Sequence, residues 1–299
     1  MERITEQASL PLERLIERRK EKLKILREKG IDPYSIKFAV AHSTKEVIEK
    51  YGSLKNGEVS SDKVQLAGRI VSFREMGRST FAHLQNEQVK IQVYLREDKI
   101  GQREYDFFLK VIDLGDFLGV EGNPFRTRTG ELSIAVDKFS IVSKSLRPLP
   151  EKWHRLKDIE TRYRQRYLDV LVNPQVRKIL DQRSRTISLI RSFLDKNGFL
   201  EVETPMMQVL PGGATAKPFS TYHNALGIGL YLRIAPELYL KRLLVGGYEK
   251  IYELNKNFRN EGISTRHNPE FTMLEVYQAY ADYEEMMRLC EEMVFFLVK

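Results

Sequence analysis

The chain has one cysteine, Cys290, and five histidines in 299 residues. A disulfide framework and a cysteine-based zinc site are therefore excluded, and a reduced compartment is expected. Long apolar runs are also missing. Val294 to Val298, near the end of the sequence, is about one and a half helical turns, against the roughly 20 residues that a membrane-spanning helix needs. Met1 to Leu10 carry acidic and basic side chains instead of the continuous apolar segment of a secretory signal. No internal repeat is visible. The expectation is a cytoplasmic protein without membrane association.

What is present is a globular composition, 42% apolar and 10% aromatic, on a chain long enough for two domains. Lys and Arg number 49 against 41 Asp and Glu, a formal charge of +8. Excess positive charge suits a polyphosphate partner. Many proteins of this size carry as much without one, so charge alone selects no function.

Leu12 to Lys29 reads as a helix, with Leu12, Leu15, Ile16, Leu23 and Leu26 at helical spacing. Eight Lys or Arg are assigned to its polar face (Arg14, Arg18, Arg19, Lys20, Lys22, Lys24, Arg27 and Lys29). That face is either simply solvated or an accessory RNA contact. Ser43 to Tyr51 is a short helix, and residues 1–62 form an N-terminal helical extension. Residues 63–146 change to short strands: Val64 to Val71, Thr80 to Leu84, Val89 to Leu95, Asp116 to Gly122 and Leu132 to Val136. Five strands with a helical insert near Arg103 to Ile112 imply a closed Greek-key barrel, a shape that commonly binds oligonucleotides on one strand face. Residues 147–173 are a linker, opened by Arg147-Pro148-Leu149-Pro150 and carrying a basic helix over Asp158 to Asp169. Residues 174–299 form a mixed domain, begun by a long helix, Pro174 to Lys196. Its stripe is Ile179, Ile187, Ile190, Phe193 and Leu194, and Asn197-Gly198 ends it. The fold class is α+β.

The most informative stretch is Lys250 to Tyr277. Period-two alternation puts Glu253, Asn255, Asn257 and Arg259 on one face of a first strand. A polar loop from Asn260 to Pro269 follows. The second strand places Phe271, Met273, Glu275 and Tyr277 on one side. An antiparallel pair would gather Arg259, His267, Phe271, Glu275 and Tyr277 on a single face. Arg259 can clamp a phosphate or carboxylate, Phe271 can stack on a purine, and Glu275 with Tyr277 can hold an ammonium group.

Phe258 to Glu275 resembles the second signature motif of the class II aminoacyl-tRNA synthetases, in its bacterial lysine-specific form. Asn197 to Pro205 is similar to the first motif. Leu232 to Leu243, Pro211 to Phe219 and Thr161 to Asp169 also look like segments of lysyl-tRNA synthetases. The resemblance covers nearly the whole chain. It implies an OB-type anticodon-binding barrel ahead of a class II antiparallel-sheet catalytic domain. The implied activity is ATP-dependent adenylation of L-lysine and its transfer to tRNA(Lys). Arg259 is then the catalytic residue, contacting the lysine carboxylate and the α-phosphate. ATP is held by Arg259 with Glu261, His267, Asn268 and Phe271, and lysine by Gly213, Glu237, Arg259, Glu275 and Tyr277. In the barrel, Arg74, Phe81, Gln92 and Glu131 are the implied anticodon contacts. The first motif implies a homodimer.

The family carries a third motif and acidic Mg²⁺ ligands, and nothing after Tyr277 matches them. The expectation is an N-terminal portion of a longer synthetase, with no metal ligands in this chain and no activity alone. Two other readings stay open. One is an aspartate or asparagine enzyme of the same class, against which Glu275 and Tyr277 favour a cationic substrate. The other is an inactive truncated form that acts as a tRNA-binding fragment.

Overall fold

The alternating segments from Val64 onward close into a barrel, and the helix before them is fastened to it by charge. The computed structural model describes residues 11–87, 89–149, 156 and 158–298. These divide between Pro174 and Gln175 into two units.

In the first unit, α1 (Leu12–Glu28) buries Leu26 completely. Two side chains assigned to its polar face are not solvated. The guanidinium of Arg19 donates to the carbonyls of Leu114, Ser145 and Arg147, each at 3.0 Å. Lys22 Nζ donates to Asp113 Oδ1 at 2.6 Å and to the Ile112 carbonyl at 3.2 Å. These cations satisfy loop carbonyls that would otherwise be buried unpaired. The period of the helix could not reveal them, because their partners lie about ninety residues or more away. Next, α2 (Thr44–Tyr51) starts from a capping box. The Glu46 amide donates to Ser43 Oγ and the Ser43 amide to Glu46 Oε2, at 3.1 and 2.8 Å.

The barrel strands are β1 (Val64–Met76), β2 (Ser79–Asn86), β3 (Val89–Arg96), β4 (Phe117–Arg126) and β5 (Leu132–Ser143). They close in the order β1-β2-β3-β5-β4, with β3 and β5 parallel and the other pairs antiparallel. Inward residues such as Val64, Leu66, Leu84, Val93, Leu118 and Ile134 are buried, so the alternate positions face out. At Gly122 a Cβ would lie 2.1 Å from the Ala135 carbonyl oxygen, so the β4–β5 crossing requires glycine there. Between β3 and β4 stand a short helix, α3 (Glu97–Ile100), and α4 (Gln102–Val111). Phe108 of α4 packs on Phe73 and Phe139, with ring centroids 5.7 and 5.1 Å away. Of the proline linker, Pro150 lies outside the described residues.

The basic segment after Asp158 was expected as one helix and is two, α5 (Ile159–Arg164) and α6 (Arg166–Val172). The break at Gln165, φ −117° and ψ 56°, brings Arg162 Nε and Arg166 Nη1 onto the buried Asp169 carboxylate at 2.9 and 2.8 Å. Ion pairing here overrides local helix propensity.

The second unit begins with α7 (Pro174–Lys196). Its stripe packs only at the C-terminal end: Phe193 and Leu194 are buried, whereas Ile179 is exposed. Gly198, φ +79°, ends the helix as the Phe199 amide reaches back to the Leu194 carbonyl at 3.0 Å. The sheet that carries the polar faces is β11 (Glu270–Gln278), β10 (Lys250–Phe258) and the short β6 (Leu200–Glu201), in that order. A smaller antiparallel sheet joins β7 (Met207–Gln208), β9 (Ile228–Leu232) and β8 (Ser220–His223). Helices α8 (Glu237–Val245) and α9 (Tyr283–Val298) complete the unit. Leu274, Val276, Met293 and Phe296 pack with Phe193, Phe199 and Tyr252, so the apolar face of the β10–β11 pair is the one covered by helices.

Candidate functional site

Two polar faces stand out, one in each unit. On the barrel, Ser72 opposes His83, His83 opposes Gln92, and Gln92 opposes Ser133, a row that crosses β1, β2, β3 and β5. A second row is Arg74, Phe81 and Tyr94. The half-buried Phe81 stacks on Tyr94, ring centroids 4.2 Å apart and planes 13° from parallel, and Tyr94 leans toward Phe125 at 6.0 Å. Arg74 is exposed beside them. Glu131 accepts from Gln92 Nε2 at 2.7 Å and lies 2.7 Å from His83 Nε2. All four sequence-derived barrel residues therefore share one outer surface. Aromatic rings beside a guanidinium and a fixed amide are the parts with which proteins bind unstacked bases.

In the second unit, strand register sets the other face. Phe271 opposes Asn257, Met273 opposes Asn255, and Glu275 opposes Glu253. Directly opposed residues project to the same side. The Arg259 guanidinium sits over the Phe271 ring, 5.1 Å from its centroid. Tyr277 donates its hydroxyl to Glu275 Oε2 at 2.9 Å. Gly213, φ +86°, packs so closely that a Cβ there would lie 2.8 Å from Glu237 Cβ. The Asn260 amide donates to the Lys217 carbonyl at 2.7 Å, holding the loop after Gly213 against the start of the polar loop. Glu261, His267 and Asn268 lie in that exposed loop. The His267 ring is tied to Ser264 Oγ at 2.8 Å, so the structure does not bring it onto the strand face.

At one end of the site Glu253 is paired with Arg233 and Glu237 with Lys241, whereas Glu275 has no ion-pair partner among the described residues. Burial raises the Glu275 carboxyl above the usual glutamate range. Donation from Tyr277 opposes that shift, while the charges of Glu237 and Glu253 add to it and that of Arg233 opposes it. Burial also pushes the Tyr277 phenol up, together with the neighbouring Glu275 and Glu237. A cation placed among these groups relieves all of this strain at once. At the other end, the buried Asn255 Nδ2, Asn257 Oδ1 and Arg259 Nε have no hydrogen-bond partner among the described residues. Between the two side chains, Asn257 Nδ2 donates to Asn255 Oδ1 at 2.6 Å. Native proteins seldom leave such a row unsatisfied away from ligand or water.

Sequence reasoning missed the group that braces this face. Arg233 Nη1 meets Glu253 Oε1 at 2.6 Å, both side chains almost fully buried. Thr204 donates to Glu253 Oε2 at 2.7 Å, and Arg233 Nε donates to the Lys256 carbonyl at 2.9 Å. Alternation placed Glu253 correctly, but only the tertiary structure brings Thr204 and Arg233 to it.

Comparison with known proteins finds matches for the barrel and for the domain that follows it. Residues 64–142 match the OB-fold nucleic acid binding domain, and residues 158–299 match the tRNA synthetases class II (D, K and N). The lysine–tRNA ligase of Pelotomaculum thermopropionicum is 57% identical over 95% of this chain and 55% of its own length. That of Carboxydothermus hydrogenoformans is 56% identical over 95% of this chain and 57% of its own length. For Bacillus cytotoxicus the lysine–tRNA ligase is 52% identical over 94% of this chain and 56% of its own length. The chain thus spans about half the length of the curated relatives it matches. The chain thus carries an OB-fold domain over residues 64–142, closed as the five-stranded barrel, followed over residues 158–299 by a class II tRNA synthetase (D, K and N) domain.

Proposed function

We propose that this chain supplies the anticodon-binding barrel and the amino-acid end of the active site of a lysine–tRNA ligase. The enzyme activates L-lysine with ATP and transfers it to tRNA(Lys). The observation that carries the reading is one strand face on which the half-buried Glu275 accepts from Tyr277 and feels the charge of Glu237, while Arg259 lies over Phe271. Lysine presents a cation at each end of its side-chain axis and one carboxylate. Glu237, with Gly213 closing over it, receives the α-ammonium. Glu275 and Tyr277 receive the ε-ammonium, and Arg259 takes the carboxylate and the α-phosphate. The adenine ring stacks on Phe271, while Glu261, His267 and Asn268 are available to the rest of the nucleotide.

In the first step the lysine carboxylate oxygen attacks the α-phosphorus in line, and the bond to the β-phosphate oxygen breaks to release pyrophosphate. No general base is required, because the nucleophile is already ionised. Arg259 contributes positioning and stabilises the charge that develops on the phosphoryl oxygens. Selectivity follows from leaving a half-buried carboxylate unpaired when a shorter or neutral side chain binds. An aspartate or asparagine side chain would meet Glu275 instead of a cation. Magnesium accompanies ATP in the family reading. Among the described residues, no group of three or more His, Cys, Asp or Glu side chains is placed to hold it. The first motif is proposed to form a twofold interface, and the enzyme is assigned to the cytoplasm.

The test is lysine-dependent exchange of labelled pyrophosphate into ATP by the protein as its own cells make it. Exchange with lysine, and none with aspartate or asparagine, is expected; exchange driven by an acidic or amide amino acid overturns the assignment. Because the relatives are nearly twice as long, a second reading applies to these 299 residues alone. They bind tRNA(Lys) without activating lysine, and exchange by the purified chain refutes it.

A further inference from the structure

The barrel holds a residue that the anticodon reading did not use. His83 sits at the centre of a continuous hydrogen-bonded row on the outer face. Its Nδ1 is 2.6 Å from Ser72 Oγ, and its Nε2 is 2.7 Å from Glu131 Oε1. Glu131 Oε2 accepts from Gln92 Nε2 at 2.7 Å, and Gln92 Oε1 accepts from Ser133 Oγ at 2.8 Å. An ionised carboxylate only accepts, so Gln92 Nε2 and His83 Nε2 both donate to Glu131. In the neutral ring the proton is on Nε2 and faces Glu131, and the Ser72 hydroxyl donates to Nδ1. The Gln92 amide is pinned with its oxygen on Ser133 and its nitrogen on Glu131. Among the described residues the row leaves unused one Gln92 N–H, on a side chain only 8% exposed, and lone pairs of the more open Glu131, beside the Phe81–Tyr94 stack.

We infer that His83 is a positioning residue for base recognition: by clamping Glu131 it fixes a donor-and-acceptor edge against which one unpaired base is read. The inference rests on the proposed tRNA-binding role of the barrel. Glu131 is nearly half exposed, with a side-chain exposure of 48%, so without His83 its second oxygen is free to turn. The Gln92 amide nitrogen then loses the acceptor that holds it, and the edge no longer distinguishes one base from another. Binding through stacking and phosphate contacts is left intact, because neither involves this row.

The experiment measures binding of the 299-residue chain to the anticodon stem–loop of a lysine tRNA and to variants with one loop base changed. It compares the parent with His83→Ala, His83→Asn, His83→Gln and Phe81→Ala. Glutamine can return an N–H to the place of Nε2, whereas asparagine reaches only the place of Nδ1. With His83→Ala and His83→Asn, discrimination at one loop position is expected to fall about tenfold, the worth of one hydrogen bond to a charged group. The salt dependence of binding and the barrel melting temperature stay at parent values. His83→Gln restores most of the discrimination, which a purely structural role does not explain. If the parent discriminates bases and both His83→Ala and His83→Asn discriminate equally well, the inference is overturned. If the parent shows no preference among loop bases and Phe81→Ala binds as the parent does, the tRNA-binding reading itself fails.

Discussion

Replacing Lys144 by Met tests whether buried charge holds the barrel and its N-terminal helix together. Lys144 is fully buried, with Nζ 2.6 Å from Asp113 Oδ2 and 2.7 Å from Asp116 Oδ2. Asp113 keeps a second cation, Lys22, at 2.6 Å on its other oxygen. Asp116 has no second ion pair among the described residues; it retains the amides of Asp113 and Ser145, at 2.7 and 2.8 Å, while Arg69 and Lys22 act on it through charge alone. The loss therefore concentrates on one buried carboxylate. Breaking a buried pair from one side costs about 3–5 kcal/mol, and the surviving amides put this case near 3. Against a domain stability of about 5–15 kcal/mol that is a large share.

The pH dependence is a sharper check. Burial already raises Asp116 above the usual aspartate range, with Lys144 opposing the shift. A group raised on folding contributes stability that is complete below its unfolded value, about 3.9, and is lost as pH rises through its folded value. Removing Lys144 raises Asp116 further, so the damage is greatest near neutrality and shrinks as the medium becomes acidic. Urea unfolding read from hydrogen exchange of β1–β5 peptides, at about pH 7 and about pH 5, measures it. Lys144→Met with Asp116→Asn should recover most of the loss, since a neutral amide needs no cation. A Lys144→Met barrel as stable as the parent at neutral pH, or a loss that grows on acidification, refutes the reasoning.

Glu275→Gln acts in opposite directions on stability and binding. Because burial raises Glu275, its contribution fades as pH rises through the folded value, so the ligand-free variant should be more stable than the parent at neutral pH. Lysine affinity should fall by about 2–5 kcal/mol, seen by calorimetry. Gly213→Ala forces a side chain onto φ +86° and to within 2.8 Å of Glu237 Cβ. A strain of roughly 1–2 kcal/mol from the left-handed backbone alone is expected, with a matching rise in the lysine dissociation constant. Phe81→Ala removes one ring of the stack with Tyr94. Anticodon stem–loop binding should weaken by about 1–3 kcal/mol with an unchanged salt slope, and unaltered affinity in a filter-binding titration counts against the interface.

The sequence by itself determined the strands of the barrel, the helix from Pro174 to Lys196, and the polar faces of the pair around the loop from Asn260 to Pro269. Each is a local pattern. Alternation assigns Glu275 and Tyr277 to one side because successive side chains on a strand must point oppositely. The clustered motifs then named the family. The tertiary structure alone decided which charges are buried. Arg19 and Lys22 sit in a helix whose period counts them with its solvated neighbours, yet they reach Leu114, Asp113 and Ser145. Gln165 breaks a run with no glycine or proline, because Asp169 draws two guanidinium groups to itself. Arg233 and Glu253 pair across the fold, and His83 meets Glu131 from a different strand connection. The free energy of a buried ion or hydrogen bond depends on partners brought close by folding and on the water they exclude, and neither is written in the spacing of residues along the chain.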